Sequence, residues 1–321
     1  MNLIRFGAAA LGLLLAQLVV AQPYPSKTIT LVVPFSAGGG TDIVARLVAV
    51  RMSEAMKTSV VVENKPGASA QIGNKFVVDA APDGYTLLVG TTSLINGPAL
   101  FGSKLPYDHS KQLRPVISLA DLPIVLAINT QKWNARTVKE FVDAARKAKD
   151  LNYGSAGPGT TLHMSAVWFK QATGVQAQAI HYKGSGQSVP ALAGGHVDFN
   201  LENPGPALPM VQQGKLRFLA VASHTRHPQF PELPTFREAG LPEVNLATWI
   251  FLMAPAATPD AVVGLLNRTI NEILRQPDMR EKLLAQGFVQ TGGSVQEMEA
   301  RMKAEAVLWG TVIKNANITV E

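Results

Sequence analysis

The hexapeptide Ser-Ala-Gly-x-Gly-Thr occurs twice in the chain, at residues 36–41 and 155–160, and the two copies differ only at Gly39 and Pro158. Each copy follows a short β-like run and precedes a segment whose apolar residues recur at helical spacing. The glycines therefore predict two turns from a strand into a helix, with Thr41 as the cap of the first helix. Because a helix N-terminus carries unpaired N–H groups and partial positive charge, both turns suit an anion.

Strand and helix patterns alternate after residue 28, which predicts a layered α/β fold. The hexapeptides lie in different halves of the chain, so they can face each other across a cleft and hold a carboxylate between them. Packing alone also explains many glycine-rich turns, and that interpretation stays open. The predicted strands span 29–34, 59–63, 85–91, 123–128, 178–182, 197–201, 216–222 and 248–253, and the predicted helices span 41–56, 137–148, 161–172, 186–193, 204–213, 259–275 and a last segment from about Ser294.

The N-terminal segment has the pattern of a secretory signal peptide. Arg5 precedes an apolar run that ends at Ala21, so we expect cleavage after Ala21 and Gln22 as the mature N-terminus. No later segment approaches 18 uninterrupted apolar residues, and the mature protein is expected to be soluble. The chain has no cysteine, which is compatible with export to a bacterial periplasm and argues against a small disulfide-stapled domain.

The sequence lacks the patterns of several other function classes. The formal net charge is +6, but the basic residues are scattered, which gives little support for a nucleic-acid partner. Ile43 stands where a dinucleotide-binding motif requires its third glycine, and no Lys-Ser or Lys-Thr pair completes a phosphate-binding loop. No Gly-x-Ser-x-Gly motif is present, and His224 and His227 have no carboxylate or thiol nearby in the sequence to complete a metal site. We therefore expect no catalytic residue, no metal and no cofactor.

Several longer motifs occur in a fixed order along the whole chain. They are YPSKTITLVVPFSAGGGTDIVAR (24–46), VVENKPGASAQIG (61–73), APDGYTLLVG (81–90), NYGSAGPGTT (152–161), YKGSGQSVPALAGGHVDF (182–199), GKLRFLAV (214–221), LPTFREAGLPEV (233–244) and TWIFLMAPAATP (248–259). In this order, behind a signal peptide, they resemble the periplasmic solute-binding proteins of tripartite tricarboxylate transporters, which are known as Bug receptors.

The resemblance implies an α/β, two-domain periplasmic binding protein of the Venus-flytrap type (type II-like), with the ligand cleft between the domains. After the signal peptide at 1–21, residues 22–123 plus 247–321 would form domain 1 and residues 124–246 domain 2. The expected ligand is a small organic acid: a di- or tricarboxylate, an acidic amino acid or an aromatic acid. The expected partners are membrane transporter subunits or a sensor kinase, and the protein is expected to be a monomer. An exported α/β enzyme acting on small carboxylates is the alternative, because a fold alone does not define a function.

The resemblance and the hexapeptides together predict that the ligand contacts both glycine-rich loops and four further stretches of chain. The predicted binding residues are Phe35, Ser36, Ala37, Gly38, Gly39, Gly40, Thr41, Ser93, Ser155, Ala156, Gly157, Pro158, Gly159, Thr160, Thr161, Tyr182, Lys183, Glu202 and Trp249.

The sequence predicts one role for the side chain of Asp42 and leaves two alternatives open for each of three others. Asp42 would repel a bound carboxylate, so we expect it to turn away and brace its loop. His163 either touches the ligand or is packed and hydrogen-bonded. Glu202 either selects a cationic or hydroxyl group of the ligand or points to solvent. Trp249 either stacks on the ligand or is buried near the crossing between the domains.

Overall fold

The computed structural model describes residues 24–242 and 246–315. The predicted signal peptide and its cleavage site lie outside these residues. The described chain contains two β-sheets, each covered by helices on both faces. The strands are β1 (Ile29–Val33), β2 (Val60–Asn64), β3 (Thr86–Thr91), β4 (Leu113–Pro123), β5 (Val125–Asn129), β6 (Asn152–Ser155), β7 (Gln178–His181), β8 (Phe199–Glu202), β9 (Leu216–Val221), β10 (Ala247–Pro255) and β11 (Val289–Gln290).

Eleven α-helices are assigned within the described residues. They are α1 (Gly40–Met56), α2 (Gln71–Val78), α3 (Thr92–Phe101), α4 (His109–Gln112), α5 (Val138–Ala145), α6 (Thr161–Thr173), α7 (Ser185–Ala193), α8 (Pro204–Gln212), α9 (Asp260–Leu274), α10 (Pro277–Ala285) and α11 (Val295–Asn315). None of them is both long and apolar enough to cross a membrane.

The two sheets are mixed, and each forms the centre of one domain. The first has the strand order β11-β4-β10-β3-β1-β2, and the second has the order β7-β6-β8-β5-β9. Strands β1, β2 and β3 run parallel, as do β6, β7 and β8, whereas β4, β5, β9, β10 and β11 pair antiparallel with their neighbours. The carboxyl ends of the parallel strands are where α/β folds bind ligands, because the loops that enter the helices gather there.

The chain crosses between the sheets at one place. Strand β4 ends at Pro123 and β5 begins at Val125, while the returning strand β10 pairs with β4 from Ala247 opposite Pro123. The side-chain amide of Asn203, at the start of α8, donates to the carbonyl oxygens of Leu122 and Pro123, both at 3.1 Å. A residue of the second domain therefore holds the strand along which the chain leaves the first.

The two hexapeptides belong to a structural repeat. In each domain a strand, a glycine-rich loop and a helix are followed by a second strand parallel to the first: β1–α1–β2 and β6–α6–β7. The hydrogen bonds at the carboxyl ends of the two parallel strands also correspond. The Lys65 N–H donates to the Val33 carbonyl in the first domain, and the Tyr182 N–H donates to the Ser155 carbonyl in the second. The sequence similarity at 36–41 and 155–160 thus marks two copies of one local architecture.

The predicted spans omit seven elements of the described chain, namely β4, β6, β11, α2, α3, α4 and α10, and one predicted cap is misplaced. Strand β4 contains two prolines and polar residues, α3 contains Gly97 and Pro98, and α10 is a short polar helix, so none showed a clear period. The prediction that Thr41 caps the first helix is wrong. Gly39 is the N-cap residue and Thr41 lies in the first helical turn, because the helix begins one residue earlier than the apolar spacing indicated.

Packing at the centre of the first sheet leaves no room for a side chain at Gly90. A Cβ there would lie 2.5 Å from Cε2 of Phe251, which is opposite Gly90 in the β3–β10 pair and fully buried. We expect Gly90→Ala to lower the free energy of unfolding by about 1–3 kcal/mol through overpacking. Thermal denaturation of this variant would show a melting temperature several degrees lower than that of the parent protein. Gly310→Ala, in α11 with nothing within 4 Å, is the matched control, and its melting temperature should not fall.

Candidate ligand-binding cleft

A small cavity of about 30 Å³ lies between the two domains. Both domains contribute to its wall, and none of the described residues that line it is charged. Its lining residues are Phe35, Gly39, Gly40, Thr41, Thr91, Ser93, Ala156, Thr160, Thr161, Leu162, Ser185, Asn203 and Thr248. Eight of these were predicted from the sequence as binding residues; Thr91, Leu162, Ser185, Asn203 and Thr248 were not.

Five helices direct their N-termini at this cavity. The helices α1, α3, α6, α7 and α8 each contribute a residue of the N-cap or first turn to its wall, namely Gly40, Ser93, Thr161, Ser185 and Asn203. They follow the parallel strands β1, β3, β6, β7 and β8. Each helix N-terminus stabilises a nearby negative charge by about 0.3–1 kcal/mol at an exposed site, and by more when partly buried. The cavity therefore favours an anion although no cation lines it.

Three of these helix N-termini have no side-chain cap among the described residues. The N-cap residues of α1, α7 and α8 are Gly39, Gly184 and Asn203, and none makes a side-chain capping hydrogen bond. The side-chain amide of Asn203 instead donates hydrogen bonds to the carbonyl oxygens at the end of β4. The first N–H groups of α1 and α7 are thus left for another acceptor, whereas the first turn of α8 offers only the Gly205 N–H, because Pro204 and Pro206 have none.

Two buried hydroxyl groups at the cleft also lack a hydrogen-bond partner among the described residues. They are Thr161 Oγ1, on a residue that lines the cavity, and Ser36 Oγ in the first glycine-rich loop. Thr161 is 1% exposed and Ser36 is 9% exposed. A buried polar group without a partner costs about 1–3 kcal/mol, so the Thr161 hydroxyl, which lines the cavity, points to a polar ligand that would satisfy it.

The first loop is braced by Asp42, as expected. Its carboxylate accepts hydrogen bonds from the Gly38 N–H, from Arg46 Nε and from Asn64 Nδ2, each at 2.9 Å. Burial alone would raise the pKa of Asp42, but these hydrogen bonds outweigh burial and hold the pKa below its usual range. The carboxylate stays ionised, fixes the loop from behind and does not line the cavity.

The second loop is held by its own polar groups. The Thr160 hydroxyl caps α6, accepting from the His163 N–H at 3.3 Å, and donates to the Gly157 carbonyl at 2.8 Å. The Gly159 N–H donates to His163 Nδ1 at 3.1 Å. Gly157 and Gly159 have φ values of 127° and 70°, which only glycine adopts without strain. His163 is thus the packed, hydrogen-bonded residue of the two alternatives, and it positions the loop from below.

Glu202 supports the cleft from inside the second domain. Its carboxyl group accepts from Ser185 Oγ at 2.6 Å, from Ser188 Oγ at 3.1 Å and from the Asn203 N–H at 2.9 Å. It is 1% exposed and does not line the cavity. The alternative that Glu202 points to solvent is therefore wrong, and a direct contact with a ligand in this cavity stays a prediction that its position does not support. Burial raises the pKa of Glu202 to about 7 in spite of these hydrogen bonds.

Trp249 does not reach the cavity. Its side chain is fully buried, donates from Nε1 to Ser118 Oγ at 3.2 Å and packs against Phe251 and the guanidinium of Arg301. Successive residues of a strand face opposite sides of the sheet, so it is the preceding residue, Thr248, that lines the cavity. The structure places Trp249 in the core rather than against a ligand.

Four other predicted residues line a neighbouring cavity of about 340 Å³ at the mouth of the cleft: Gly157, Pro158, Tyr182 and Lys183. Its opposite wall is the turn at Gly67–Gln71 of the first domain, and Phe35 and Ala156 border both cavities. The remaining predicted residues line neither cavity and instead shape the two loops. These are Ser36, Ala37, Gly38, Ser155 and Gly159.

Within the described residues, no group of three or more histidine and acidic side chains is placed to hold a metal ion.

A family model described as "Tripartite tricarboxylate transporter family receptor" matches residues 44–318. Protein BugT of Bordetella pertussis is 33% identical over 321 residues, which cover 98% of each chain. A solved structure titled "Structure of a periplasmic transporter" is 38% identical with a TM-score of 0.89, covering 93% of this chain and all of the other.

Two further solved structures contain carboxylates. R. palustris Rpa4515 with adipate is 36% identical with a TM-score of 0.89, covering 92% of this chain and 99% of the other. MatC from Rhodopseudomonas palustris with bound malate is 31% identical with a TM-score of 0.84, covering 90% of this chain and all of the other. The predicted α/β fold of two domains is confirmed by these likenesses.

The hydrogen bond from Gly159 to His163 requires a neutral imidazole. Burial, followed by the charges of His181 and Lys170, lowers the pKa of His163 to about 4. Between this value and the ordinary value near 6.5, the unfolded chain binds a proton that the folded chain does not. We therefore expect the free energy of unfolding to fall as the pH falls through this range, by up to roughly 3 kcal/mol from this residue.

Denaturant unfolding of the protein and of His163→Gln at about pH 7 and about pH 5 would measure this contribution. The glutamine can still accept from the Gly159 N–H, and it does not titrate. The loss of stability on acidification should therefore be smaller in the variant. Burial also lowers the pKa values of His109, His181 and His227, and their contribution to the loss of stability is present in both proteins. Equal losses in the two proteins would contradict the assignment.

Proposed function

The chain belongs to the receptor family of tripartite tricarboxylate transporters, and we propose that it captures a small organic acid between its two glycine-rich loops. The receptors of this family are solute-binding proteins and not enzymes. The observation that carries the proposal is the convergence of five helix N-termini on one uncharged cavity. A carboxylate supplies acceptor oxygens to the N–H groups that have no cap, such as those of α1 and α7, and it receives charge-assisted hydrogen bonds in return.

The Thr161 hydroxyl gives the proposed carboxylate a specific donor. It is buried in the cavity wall, has no partner among the described residues, and belongs to the first turn of α6. A carboxylate there would satisfy this hydroxyl together with N–H groups of the same turn. The wall includes no described lysine, arginine or histidine, so the negative charge itself would be balanced by helix dipoles.

The second end of the ligand is proposed to extend toward the larger cavity. That cavity adjoins the first through Phe35 and Ala156 and includes Lys183 and His181 in its lining. A ligand with two acidic groups would place one at the helix N-termini and the other at this more polar mouth. The relatives solved with adipate and malate support a dicarboxylate as the class of ligand.

Capture is proposed to work by closure of the two domains. The small cavity is walled by both domains, so a ligand that fills it contacts both and binds the closed form better than the open form. The crossing strands at Pro123 and Ala247, held by Asn203, are the place where such a motion would be centred.

Export and delivery complete the proposal. The pattern that ends at Ala21 is that of a cleaved signal peptide, and one similar structure is titled as a periplasmic transporter. We infer that the mature protein acts in the periplasm and presents its closed form to a tripartite membrane transporter or to a sensor.

A thermal-shift comparison of acids with their esters tests the ligand class. Adipate and malate at about 100 times their dissociation constant should each stabilise the protein by about 2.7 kcal/mol if they bind. The dimethyl esters should add almost nothing, because they lose the charge that the N–H groups favour. The protein is first unfolded and refolded to remove any ligand carried from the cell. Equal shifts for acid and ester would contradict recognition of a carboxylate.

Thr161→Val tests the site itself. The change keeps the shape of the side chain and removes the unpartnered hydroxyl, so we expect the melting temperature without ligand to be kept or raised. Affinity for the acid identified above should fall about 10- to 150-fold, because one charge-assisted hydrogen bond of about 1.5–3 kcal/mol is lost. Calorimetric titration measures the loss.

The chain offers a matched control in Thr258→Val. Thr258 Oγ1 is also buried without a partner among the described residues, but it lies before α9 and away from the cleft. This variant should keep full affinity. Equal affinity for both variants would place the carboxylate elsewhere.

A further inference from the structure

The first glycine-rich loop rests directly on the N-terminus of α7 in the other domain. The Ser36 N–H donates to the Lys183 carbonyl at 2.9 Å, which joins the domains backbone to backbone. A Cβ built on Gly186 would lie 1.9 Å from the Ala37 carbonyl oxygen, a distance that no packing adjustment of a side chain can relieve. The three atoms nearest to this Cβ all belong to Ser36 and Ala37.

Within the described residues, the second domain itself gives no reason for a glycine at this position. Gly186 is the second residue of α7, and its φ lies outside the left-handed region. Alanine is a better helix residue than glycine by about 1 kcal/mol. Gly184 is different, because its φ of 142° favours glycine whatever its surroundings. The contact with the first domain is therefore the feature that explains a glycine at position 186.

The structural repeat provides the corresponding contact on the other side of the cleft. Gly67 and Gly184 occupy equivalent places after β2 and β7, with φ values of 133° and 142°. The turn after Gly67 faces the second glycine-rich loop, where a Cβ on Gly157 would lie 3.2 Å from Ser69 Oγ. This contact ends on a side chain and can adjust. The contact at Gly186 is the tighter of the two.

We propose that Gly186 is the residue that permits the cleft to close, acting as a positioning residue that does not line the ligand cavity. Its bare Cα lets the first loop seat on α7, and this seating brings Ser185 into the same cavity wall as Gly39 and Gly40. This requirement for closure holds whichever ligand binds in the cleft. Any ligand that needs both domains binds in proportion to the fraction of molecules that can close.

Gly186→Ala tests the proposal without any ligand. The added methyl group should keep the helix and hold the domains apart at the first loop. We expect the Ser36 amide to exchange with solvent at least tenfold faster than in the parent protein, as read by NMR of the refolded chain. We also expect a larger radius of gyration in X-ray solution scattering and an unchanged or raised melting temperature. Gly264→Ala, in α9 with a flexible arginine end as its nearest neighbour, is the control. It should change neither the exchange rate of the Ser36 amide nor the radius of gyration.

Equal exchange at Ser36 and equal radii for the parent and Gly186→Ala would overturn the proposal. A lowered melting temperature with loss of helical circular dichroism would also overturn it, because glycine would then be needed within the second domain. Failure of every acid to bind would leave these readings unaffected, so the proposed function and the closure residue are tested separately.

Discussion

The convergence of helix N-termini on one cavity is the constraint on which the rest of the cleft depends. Parallel strands in each sheet deliver their helices to the same edge, and the two edges face each other. Five partial positive charges that point at one another repel unless an anion or solvent lies between them. The glycine-rich loops allow this approach, because Gly39 and Gly40 present backbone rather than side chains to the cavity.

The ionisable groups near the cleft are arranged so that none competes with a bound anion. Asp42 is ionised but faces away, where Arg46 and the Gly38 N–H hold it. Glu202 is buried behind Ser185, and burial raises its pKa. His163 is kept neutral and accepts a hydrogen bond. Each group braces a loop or a helix end, so the described polar groups that remain at the cavity are backbone groups and uncharged hydroxyl and amide side chains.

The sequence predicted the two loops well because their glycines, flanking strands and helices repeat within one chain. It included Trp249 and Glu202 among the binding residues because a resemblance transfers positions along the chain, whereas the direction of a side chain depends on strand alternation and burial. Asn203 was missed for a related reason: its partners, the carbonyls of Leu122 and Pro123, are some 80 residues away in the chain. Contacts between distant segments leave no local pattern in a sequence.

The uncharged wall of the cavity has an evolutionary consequence. Anion contacts made by backbone N–H groups are encoded by the path of the chain, so most single-codon changes in the wall leave them in place. Residues such as Leu162 and Thr248, which contribute side chains to the same wall, can then vary after gene duplication. A lineage of duplicated genes can in this way acquire new preferences for the carbon skeleton of a nutrient while inheriting the means of holding its acid group.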